Sequence, residues 1–381
     1  MKIGIDIRNI GKGRTGDEVV FFNLVKNLSQ IDSQNEYLLF TDRQLENDSS
    51  LGAEIEKLEL KENFKIVSLG NQGVNKFIWN FWTLPQYLKK NPVDIYQTQY
   101  IVPFFVDQKT KIITIIHDVS FKVFPELIKL TDRILLSIFI PLSLKRADKI
   151  MTISRFSAEE IAKYYPFCKE KIAWTYNAIG DEFKDLEFSS EELEEIENNY
   201  KLPKKFILYL GTLQPRKNLP ILIKAFAKIS SEFPELHLVL AGGRGYNFDQ
   251  RIDAEIRKNG LKDRVLFPGF ILNEDKPKFY KLAEIFCFPS LYEGFGIPIL
   301  EAFILGTPVI ASRIPPHMEI AGNAALLFEP GKEEVLAKQI KTLLADQEEK
   351  ESYIKKGFEQ AATFSWQKAA QDYLEIYKNL N

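Results

Sequence analysis

The chain has 381 residues, more than a single hydrophobic core usually fills, so two domains are expected. Lys and Arg number 50 against 52 Asp and Glu, and the resulting formal net charge of -2 excludes a general electrostatic affinity for nucleic acid. Only two cysteines are present, Cys168 and Cys287, and they lack CxxC spacing. Neither a disulfide framework nor a zinc site is therefore expected.

The N-terminal part begins directly with a strand-like apolar run, KIGIDI, and not with a charged leader before a long hydrophobic block. We therefore expect no secretion signal, and the cysteine usage favours a reducing cytoplasm. Further short β-branched runs follow, EYLLFT, FKIVSL, VDIYQT, KIITIIHD and KIMTIS, separated by longer amphipathic stretches such as Glu18 to Leu28. This alternation predicts a parallel sheet wrapped by helices over residues 1–180.

The loop GKGRTG after the first strand spells GxGxxG with Gly11, Gly13 and Gly16. Such a loop between a strand and a helix favours a dinucleotide. Asp42 in LLFTD is a candidate for the ribose-binding acid, although it lies further along the chain than the usual spacing. An NAD-dependent oxidoreductase is therefore one alternative, and it rests on this loop alone.

Two apolar segments of the first half are too short to cross a membrane, which takes about 20 residues. Residues 134–144, ILLSIFIPLSL, are flanked by charges and predict a buried core helix. Residues 77–88, FIWNFWTLPQYL, have lysines beside them and two interpretations: an aromatic stripe in the core, or a segment at a membrane surface. We prefer the core stripe and leave peripheral membrane association open.

His117 and Asp118 end the strand-like run KIITII, so both are expected at the carboxyl edge of the first sheet. A histidine at that edge is a candidate for function, whereas a single histidine is more often structural. The other two histidines are His237 and His317, and His237 in LHLVLA has the position of a strand start. A three-histidine metal site is not expected.

The alternation breaks after Asn177, where the polar and acidic stretch 181–205 predicts a linker that contains one helix. A second series follows, with strands FILYLGT, LHLVLAGG, VLFPGF, EIFCFPS and PVIAS, and predicts a second doubly wound α/β domain over 181–362. Residues 363–381 contain a Ser N-cap and apolar residues at helical spacing, so a terminal helix is expected. Because ligands bind at the carboxyl ends of such sheets, the chemistry is expected in the loops after the strands.

Residues 290–306, SLYEGFGIPILEAFILG, follow a buried run and open a helix. Gly294 and Gly296 allow a close backbone approach, and Pro298 suits the first helical turn. Amide groups and the helix dipole favour a diphosphate there, with Glu301 placed to accept hydrogen bonds from ribose and Glu293 placed to meet a sugar. On spacing alone, an ordinary helix start in which both carboxylates are structural is an equal alternative.

Arg216 and Lys217 follow the strand FILYLG and a turn that contains proline. No metal motif accompanies them, so these two cations are the candidates to stabilise a leaving diphosphate. The alternative is a solvated pair in a loop before a helix. Their position directly after a strand favours the first interpretation.

The segment EGFGIPILE, followed by GTPVIAS, closely resembles the donor site of the GT4 family of GT-B-fold glycosyltransferases. The stretches LGTLQPRKNL and ISRFSAEEI, the HD of TIIHDVSF and the tryptophan-bearing terminal helix extend the resemblance over nearly the whole chain. It implies two doubly wound Rossmann-like domains that face each other across a cleft. The domain at 1–180 would bind the acceptor, the domain at 181–362 would bind the nucleotide sugar, and the helix at 363–381 would cross back to the first domain.

The resemblance also implies roles for residues of this chain. Glu301 is expected to bind the ribose, Lys217 the diphosphate, and Glu293 the sugar hydroxyls. Backbone groups are expected to complete the donor site, at Gly294, Phe295, Gly296 and Ile297 in the helix start and at Gly16 with Thr15 in the glycine-rich loop.

Two further positions follow from the resemblance. Thr212 stands where many members carry an arginine. Because of this departure, Arg216 becomes the candidate for the role of that arginine. His117 is expected against the donor sugar, where it stabilises a developing oxocarbenium charge.

The resemblance implies that the reaction retains the anomeric configuration, and we expect that it needs neither a metal nor another cofactor. It moves a hexose from a nucleotide diphosphate donor to a glycan or lipid-linked acceptor in cell-surface polysaccharide assembly. The resemblance is nearest to mannosyltransferases, which favours GDP-mannose over a UDP-sugar with glucose or GlcNAc. A nucleotide-sugar-binding scaffold without turnover and the NAD-dependent oxidoreductase are the alternatives, and no nucleic-acid partner is expected.

Overall fold

A computed structural model describes residues 1–13, 15–70, 75–245 and 247–380 of the chain, apart from the side chains of Thr15 and Lys76. These residues form two compact units. The first unit consists of Met1–Val123, Lys129–Asn177 and Ser365–Asn381, and the second of Phe124–Ile128 and Ala178–Phe364. The division after Asn177 lies where the alternating sequence pattern breaks.

The first unit contains seven strands and eight helices among the residues described. Its strands are β1 (Lys2–Asp6), β2 (Glu36–Thr41), β3 (Phe64–Ser68), β4 (Ile95–Gln99), β5 (Lys111–Ile115), β6 (Lys149–Thr152) and β7 (Ile172–Trp174). Its helices are α1 (Thr15–Ile31), α2 (Ser49–Glu56), α3 (Lys76–Ile78), α4 (Leu84–Lys90), α5 (Ser120–Val123), α6 (Leu130–Arg146), α7 (Arg155–Tyr164) and the last helix of the chain (Trp366–Leu380). A π-helical segment, Trp79–Thr83, joins α3 to α4.

The first sheet is parallel, with the strand order β3-β2-β1-β4-β5-β6-β7. Apolar residues dominate most of its strands, because helices cover both faces of a parallel sheet, whereas β4 reads IYQTQ and contains three polar residues. The order reverses between β1 and β4, which are neighbours although they are not consecutive in the chain. In open sheets of this type, ligands bind beyond the carboxyl ends of the strands at such a switch point.

The last helix of the chain belongs to the first unit. Tyr373 and Tyr377 are buried in the core that β1, β2 and α1 form. The Tyr377 hydroxyl donates a hydrogen bond of 2.6 Å to the side-chain oxygen of Gln97 in β4, and Thr175 donates one of 2.6 Å to Asp372. Polar contacts therefore join this helix to β4 and to the residue that follows β7, although it is distant from both in sequence.

Helix α6 differs from the buried core helix that the sequence predicted. Its buried residues are Ile140, Ser143 and Leu144. The large apolar side chains on the opposite face are exposed, namely Leu130, Ile134, Ile138 and Leu142. The prediction is wrong for this face because the apolar residues surround the helix, and only one side of it packs on the unit.

The second unit contains six strands and eight helices in the described part. Its strands are β8 (Lys205–Leu210), β9 (Leu236–Ala241), β10 (Val265–Leu266), β11 (Ile285–Phe288), β12 (Val309–Ser312) and β13 (Leu326–Phe328). Its helices are α8 (Ser190–Tyr200), α9 (Leu219–Ile229), α10 (Arg251–Lys258), α11 (Lys276–Leu282), α12 (Ile297–Ile304), α13 (Pro315–Ala321), α14 (Glu333–Ala345) and α15 (Gln347–Ala361). Helix α8 occupies the stretch expected to be a linker, and a capping box at Ser189 and Glu192 starts it.

The second sheet is also parallel, with the order β10-β9-β8-β11-β12-β13. Its switch point lies between β8 and β11, where Leu208 pairs with Phe286. Close backbone packing marks the ends of the strands: a Cβ atom on Gly242 would lie 1.9 Å from the carbonyl oxygen of Gly211. Only glycine fits there, for this steric reason and because other residues rarely adopt its φ of 154°.

No helix in the described part of the chain has both the length and the apolar character needed to cross a membrane.

Candidate active site

The switch point of the second sheet brings together two loops that carry charged residues. The loop after β8 forms a short 3-10 turn, Pro215–Lys217, and the loop after β11 leads to the start of α12. The two loops are joined by a backbone hydrogen bond of 2.8 Å from the Leu291 amide to the Arg216 carbonyl. The sequence predicted functional residues in both loops, and the sheet topology places the loops side by side.

The carboxylate of Glu293 lies between two cations. Lys217 donates a hydrogen bond from Nζ to Oε1, and Arg216 donates one of 3.0 Å from Nη1 to Oε2. Glu293 is 8% exposed and Lys217 is 7% exposed, so this contact is shielded from water. Arg216 also donates to the carbonyl of Tyr292 at 3.1 Å, and the ammonium of Lys217 lies 5.0 Å from the centre of the Phe288 ring.

The cluster of Glu293, Lys217 and Arg216 carries a net positive charge. Burial alone would raise the pKa of Glu293, but Lys217 and Arg216 outweigh it and hold that pKa well below its usual range. The carboxylate is therefore ionised at physiological pH and is unsuited to donate a proton. Two cations against one carboxylate leave one unit of positive charge, which suits an anionic ligand such as a diphosphate.

Helix α12 begins directly beyond this cluster. Gly294 and Gly296 are buried, and Gly296 has a φ of 132°, which favours glycine at that position. Phe295 is buried with its ring centre 5.8 Å from that of Phe364, and Ile297 is half-buried. The phenyl ring of Phe295 therefore anchors the loop, and only its backbone is suited to the ligand contact that the sequence predicted.

Glu301 lies on the second turn of α12, in a setting opposite to that of Glu293. Its Oε2 accepts a hydrogen bond of 2.7 Å from the hydroxyl of Tyr280 on α11. Burial raises the pKa of Glu301, although Lys276 and the Tyr280 hydroxyl counteract it. The Tyr280 bond engages one oxygen and orients the carboxyl group, while the other oxygen accepts no hydrogen bond within the described part of the chain and suits a ligand hydroxyl.

His317 is a buried residue of this site that the sequence did not identify as functional. It lies on α13, its ring centre is 5.1 Å from that of Phe288, and its Nδ1 lies 3.0 Å from the carbonyl of Ser312. Burial lowers the pKa of His317 to about 4, although Glu293 opposes that shift. The imidazole is therefore neutral at physiological pH. The only sequence signal was its position shortly after the strand PVIAS.

His117 follows β5 in the first unit and is 7% exposed. Its Nε2 lies 3.3 Å from Oε1 of Gln99 at the end of β4 and 3.6 Å from a carboxylate oxygen of Asp17. Asp118 accepts a hydrogen bond of 2.8 Å from the Ser120 amide two residues further on, which is the contact of an Asx-turn before α5. These contacts place the histidine at the carboxyl edge of the first sheet, as expected, and assign Asp118 to the loop.

The glycine-rich loop shows why GxGxxG is a weak indicator here. Gly11 has a φ of 74°, and a Cβ atom there would lie 2.9 Å from the Cα of Leu51. The first glycine of the motif is therefore required by packing against α2. Gly16 is exposed at the start of α1, while the side chain of Thr15 lies outside the described part. Asp42 is buried just after β2.

Among residues 1–13, 15–70, 75–245 and 247–380, no group of three or more His, Cys, Asp or Glu side chains is arranged to hold a metal ion. Both cysteines are buried and free.

Both halves of the chain match glycosyltransferase families. Residues 16–183 match the family described as Glycosyltransferase Family 4, and residues 190–360 match the one described as Glycosyl transferases group 1. The two matches together cover most of the chain.

Two relatives from Escherichia coli are mannosyltransferases by name. O-antigen chain mannosyltransferase B is 32% identical over 243 residues, which are 62% of this chain and 62% of that protein. Serotype-specific mannosyltransferase WbdA is 31% identical over 238 residues, which are 62% of this chain and 29% of WbdA. The matched part therefore spans less than two thirds of either relative.

A solved structure resembles the chain over its full length. HepE from Anabaena, in complex with UDP and glucose, has a TM-score of 0.73 at 18% identity, with 100% of both chains covered. This likeness shows the fold. The prediction of a GT-B fold built from two doubly wound α/β domains is confirmed.

Proposed function

The chain belongs to glycosyltransferase family 4, and we propose that it transfers a hexose from a nucleotide diphosphate to an acceptor hydroxyl. The observation that carries the proposal is the cluster of one buried carboxylate and two cations, Glu293 with Lys217 and Arg216, at the switch point of the second sheet. The acceptor is a glycan or a lipid-linked saccharide in cell-surface polysaccharide assembly. The names of the two Escherichia coli relatives support this class of product.

For the donor we propose GDP-mannose. Both relatives are mannosyltransferases by name, and this supports mannose as the sugar. The alternative is a UDP-sugar, which is supported by the UDP and glucose bound to HepE. We place the reaction in the cytoplasm, because two free and buried cysteines are compatible with a reducing compartment.

Glu301 is the proposed ribose ligand. A carboxyl group that one tyrosine holds in place can accept hydrogen bonds from the vicinal hydroxyls of a ribose without first losing side-chain freedom. Its location one turn into α12 leaves the first turn of the helix to the diphosphate. Gly294, Gly296 and Ile297 would contribute backbone groups there.

Lys217 and Arg216 are the proposed groups that stabilise the leaving diphosphate. Negative charge grows on the diphosphate as the bond to the sugar breaks, and fixed cations shielded from water stabilise it strongly. The surplus positive charge of the cluster matches that demand. We therefore propose that the reaction proceeds without a metal ion, with these two side chains in its place.

We propose a front-face mechanism with retention. The acceptor hydroxyl attacks from the side on which the diphosphate departs, and a phosphate oxygen takes the proton. Glu293 accepts hydrogen bonds from sugar hydroxyls and stabilises positive charge on the ring. Its two oxygens are already engaged by cations, which makes it a poor nucleophile for a covalent intermediate. His117 keeps the role that the family resemblance implies, a contact with the donor sugar.

The donor is tested by a melting screen with GDP, UDP, ADP and their sugars, because a ligand that binds only the native state raises the melting temperature. Release of nucleoside diphosphate, measured with and without acceptor, then tests turnover. Release that depends on the acceptor supports the transferase. Binding of a nucleotide sugar without any release indicates a scaffold, and stabilisation by NADH with no response to nucleotide sugars indicates the oxidoreductase.

Glu301→Ala tests the ribose contact. We expect calorimetry to show binding of the preferred nucleoside diphosphate that is weaker by about 10- to 100-fold, because hydrogen bonds to a charged group contribute about 1.5–3 kcal/mol. The matched control is Glu334→Ala, which removes an exposed carboxylate paired with Lys228 at 2.6 Å in the same unit. Equal affinity of Glu301→Ala and the wild type would remove Glu301 from the site.

A further inference from the structure

Helix α6 of the first unit carries a row of exposed apolar side chains. Leu130, Ile134, Ile138 and Leu142 are 66%, 51%, 52% and 44% exposed. They are spaced four residues apart, so they lie along one face over about 18 Å of helix. Side chains of this size are rarely grouped on the surface of a protein unless they meet a partner or a membrane.

A second apolar element lies beside this row. The ring of Phe139 on α6 is 5.1 Å from that of Phe77 and 6.1 Å from that of Phe81, and Phe81 is 5.8 Å from Phe105. These ring contacts attach the π-helical segment and the loop after β4 to the flank of α6. The residues next to the rings are exposed as well. We call the following seven exposed side chains the apolar surface: Ile78, Trp82, Phe105, Leu130, Ile134, Ile138 and Leu142.

Cations border the apolar surface. Lys145 lies on the same helical face as Ile138 and Leu142, and its ammonium is 5.7 Å from the centre of the Phe167 ring. Residues 129–146 contain four Lys or Arg against the single acid Asp132, and residues 76–90 contain three lysines and no acid. Asp148 pairs with Arg146 at 3.5 Å, and even with this acid counted the two segments contain more cations than acids, although the whole chain has a net charge of -2.

We propose that the apolar surface docks on a bilayer that contains anionic phospholipids. Large apolar side chains enter the boundary between headgroups and acyl chains, a tryptophan is favoured at that depth, and lysines and arginines attract anionic headgroups. A second copy of this chain is the rival occupant. A two-fold contact would bring the same positive border against itself, so charge complementarity favours the lipid.

The inference does not depend on the proposed reaction, because lipid binding is measured without any substrate. Docking on a bilayer would also affect the proposed reaction if the acceptor is lipid-linked. A transferase held at the bilayer meets such an acceptor in two dimensions, and its effective concentration rises.

The experiment is sedimentation of the full chain with vesicles of phosphatidylcholine alone and of an equal mixture with phosphatidylglycerol. We expect binding to the mixed vesicles, weaker binding without phosphatidylglycerol, and a loss of binding as salt is raised. The double variant Ile134→Asp and Ile138→Asp should reduce binding to the mixed vesicles at least about tenfold, because it places two charges in the apolar layer. The matched control is Val335→Asp, which changes an apolar side chain that is 41% exposed on α14.

The same proteins are tested for thermal melting and for binding of nucleoside diphosphate, and both should match the wild type in the double variant. If the wild type binds nucleotide but not the mixed vesicles, this inference fails and the proposed function stands. It also fails if the double variant binds vesicles as well as Val335→Asp does. A concentration-dependent dimer that the double variant converts to a monomer would instead assign the surface to a second copy.

Discussion

The two sheets have the same kind of switch point, but the charges there are arranged differently. In the first unit, Asp6 at the end of β1 is paired with Arg8 through two hydrogen bonds of 2.9 and 2.7 Å, and the Thr98 hydroxyl at β4 donates a third of 3.1 Å. The guanidinium lies 4.4 Å from the centre of the Trp79 ring. In the second unit, Glu293 meets two cations, Lys217 and Arg216.

This difference separates a structural ion pair from a candidate ligand site. One carboxylate with one guanidinium is neutral, Asp42 adds negative charge near Arg8, and Trp79 covers the pair, so this switch point does not favour an anion. Burial alone would raise the pKa of Asp6, yet Arg8 lowers it on balance, as the two cations do for Glu293. A lowered pKa is therefore common to both carboxylates, and the contact with two cations distinguishes Glu293. A shifted pKa alone does not separate the two sites, because structural ion pairs also shift the pKa of a carboxylate.

Arg8→Ala should have the largest effect, and the effect should be on stability. Removal of one partner from a buried pair leaves the Asp6 carboxylate uncompensated, which costs about 3–5 kcal/mol of the free energy of unfolding. Urea denaturation measures it. The control Lys65→Ala breaks an exposed pair with Glu36 at 3.0 Å, and such pairs contribute about 0–1 kcal/mol.

The affinity of folded Arg8→Ala for nucleoside diphosphate should equal that of the wild type. If nucleotide binding weakens while the free energy of unfolding stays the same, the pair of Asp6 and Arg8 belongs to a ligand site and is not a structural ion pair.

Lys217→Ala should reduce turnover about 100- to 1000-fold, as removal of a shielded charge from a transition-state contact does. The variant retains Arg216 against Glu293, so the cluster becomes neutral like the pair in the first unit. The measurement is nucleoside diphosphate release with the donor found in the melting screen. The control is Lys224→Ala, whose ammonium lies 3.5 Å from Glu255 on the surface of the same unit. A loss of less than about threefold would remove Lys217 from the reaction.

Arg216→Ala should have a smaller effect, about tenfold on turnover. The Arg216 side chain is 27% exposed against 9% for Lys217, so water screens its charge more. The same release assay measures it, with Arg244→Ala as the control because Arg244 is exposed and pairs with Asp253 at 3.0 Å. An effect larger than that of Lys217→Ala would reverse the assigned order of the two cations.

The sequence predicted most of the fold, and it supplied the candidate residues of the site, whose roles stay predictions. The alternation of apolar runs predicted both sheets, because strands of parallel sheets are buried on both faces. The pattern around Glu293 and Glu301 made both carboxylates candidates, although on spacing alone an ordinary helix start was an equal alternative. It did not reveal that Lys217 and Arg216 contact Glu293, since about 76 residues of chain separate them and only the strand order β8-β11 brings them together.

Other features depend on tertiary packing that no local pattern encodes. Tyr280 lies on α11 and meets Glu301 only because α11 and α12 are neighbours in the fold. The exposed face of α6 was missed because apolar residues surround that helix, and hydrophobicity alone does not tell which side is covered. The only sequence feature that indicates the pair of Asp6 and Arg8 is two opposite charges spaced by two residues at the end of the first strand, and this spacing is too common to predict an ion pair.

The smallest expected effect compares the two carboxylates of the donor segment in acid. Glu293 has a lowered pKa in the folded chain, so between about pH 5 and 3 the unfolded chain takes up a proton at this position and the native chain does not. Its stabilising contribution is present above the unfolded pKa and is lost as pH falls. Glu301 has a raised pKa, so the sign is opposite: the native chain takes up the proton first, and stability at this position rises as pH falls.

The free energy of unfolding of Glu293→Gln should therefore fall less steeply with acid than that of the wild type, by at most about 1.4 kcal/mol per pH unit for one proton. Glu301→Gln should fall more steeply, because the compensating uptake is gone. Urea denaturation at a series of pH values measures both slopes, and each variant is the control for the other. If the free energies of unfolding of the two variants change with pH in parallel, Glu293 and Glu301 do not lie in opposite electrostatic environments.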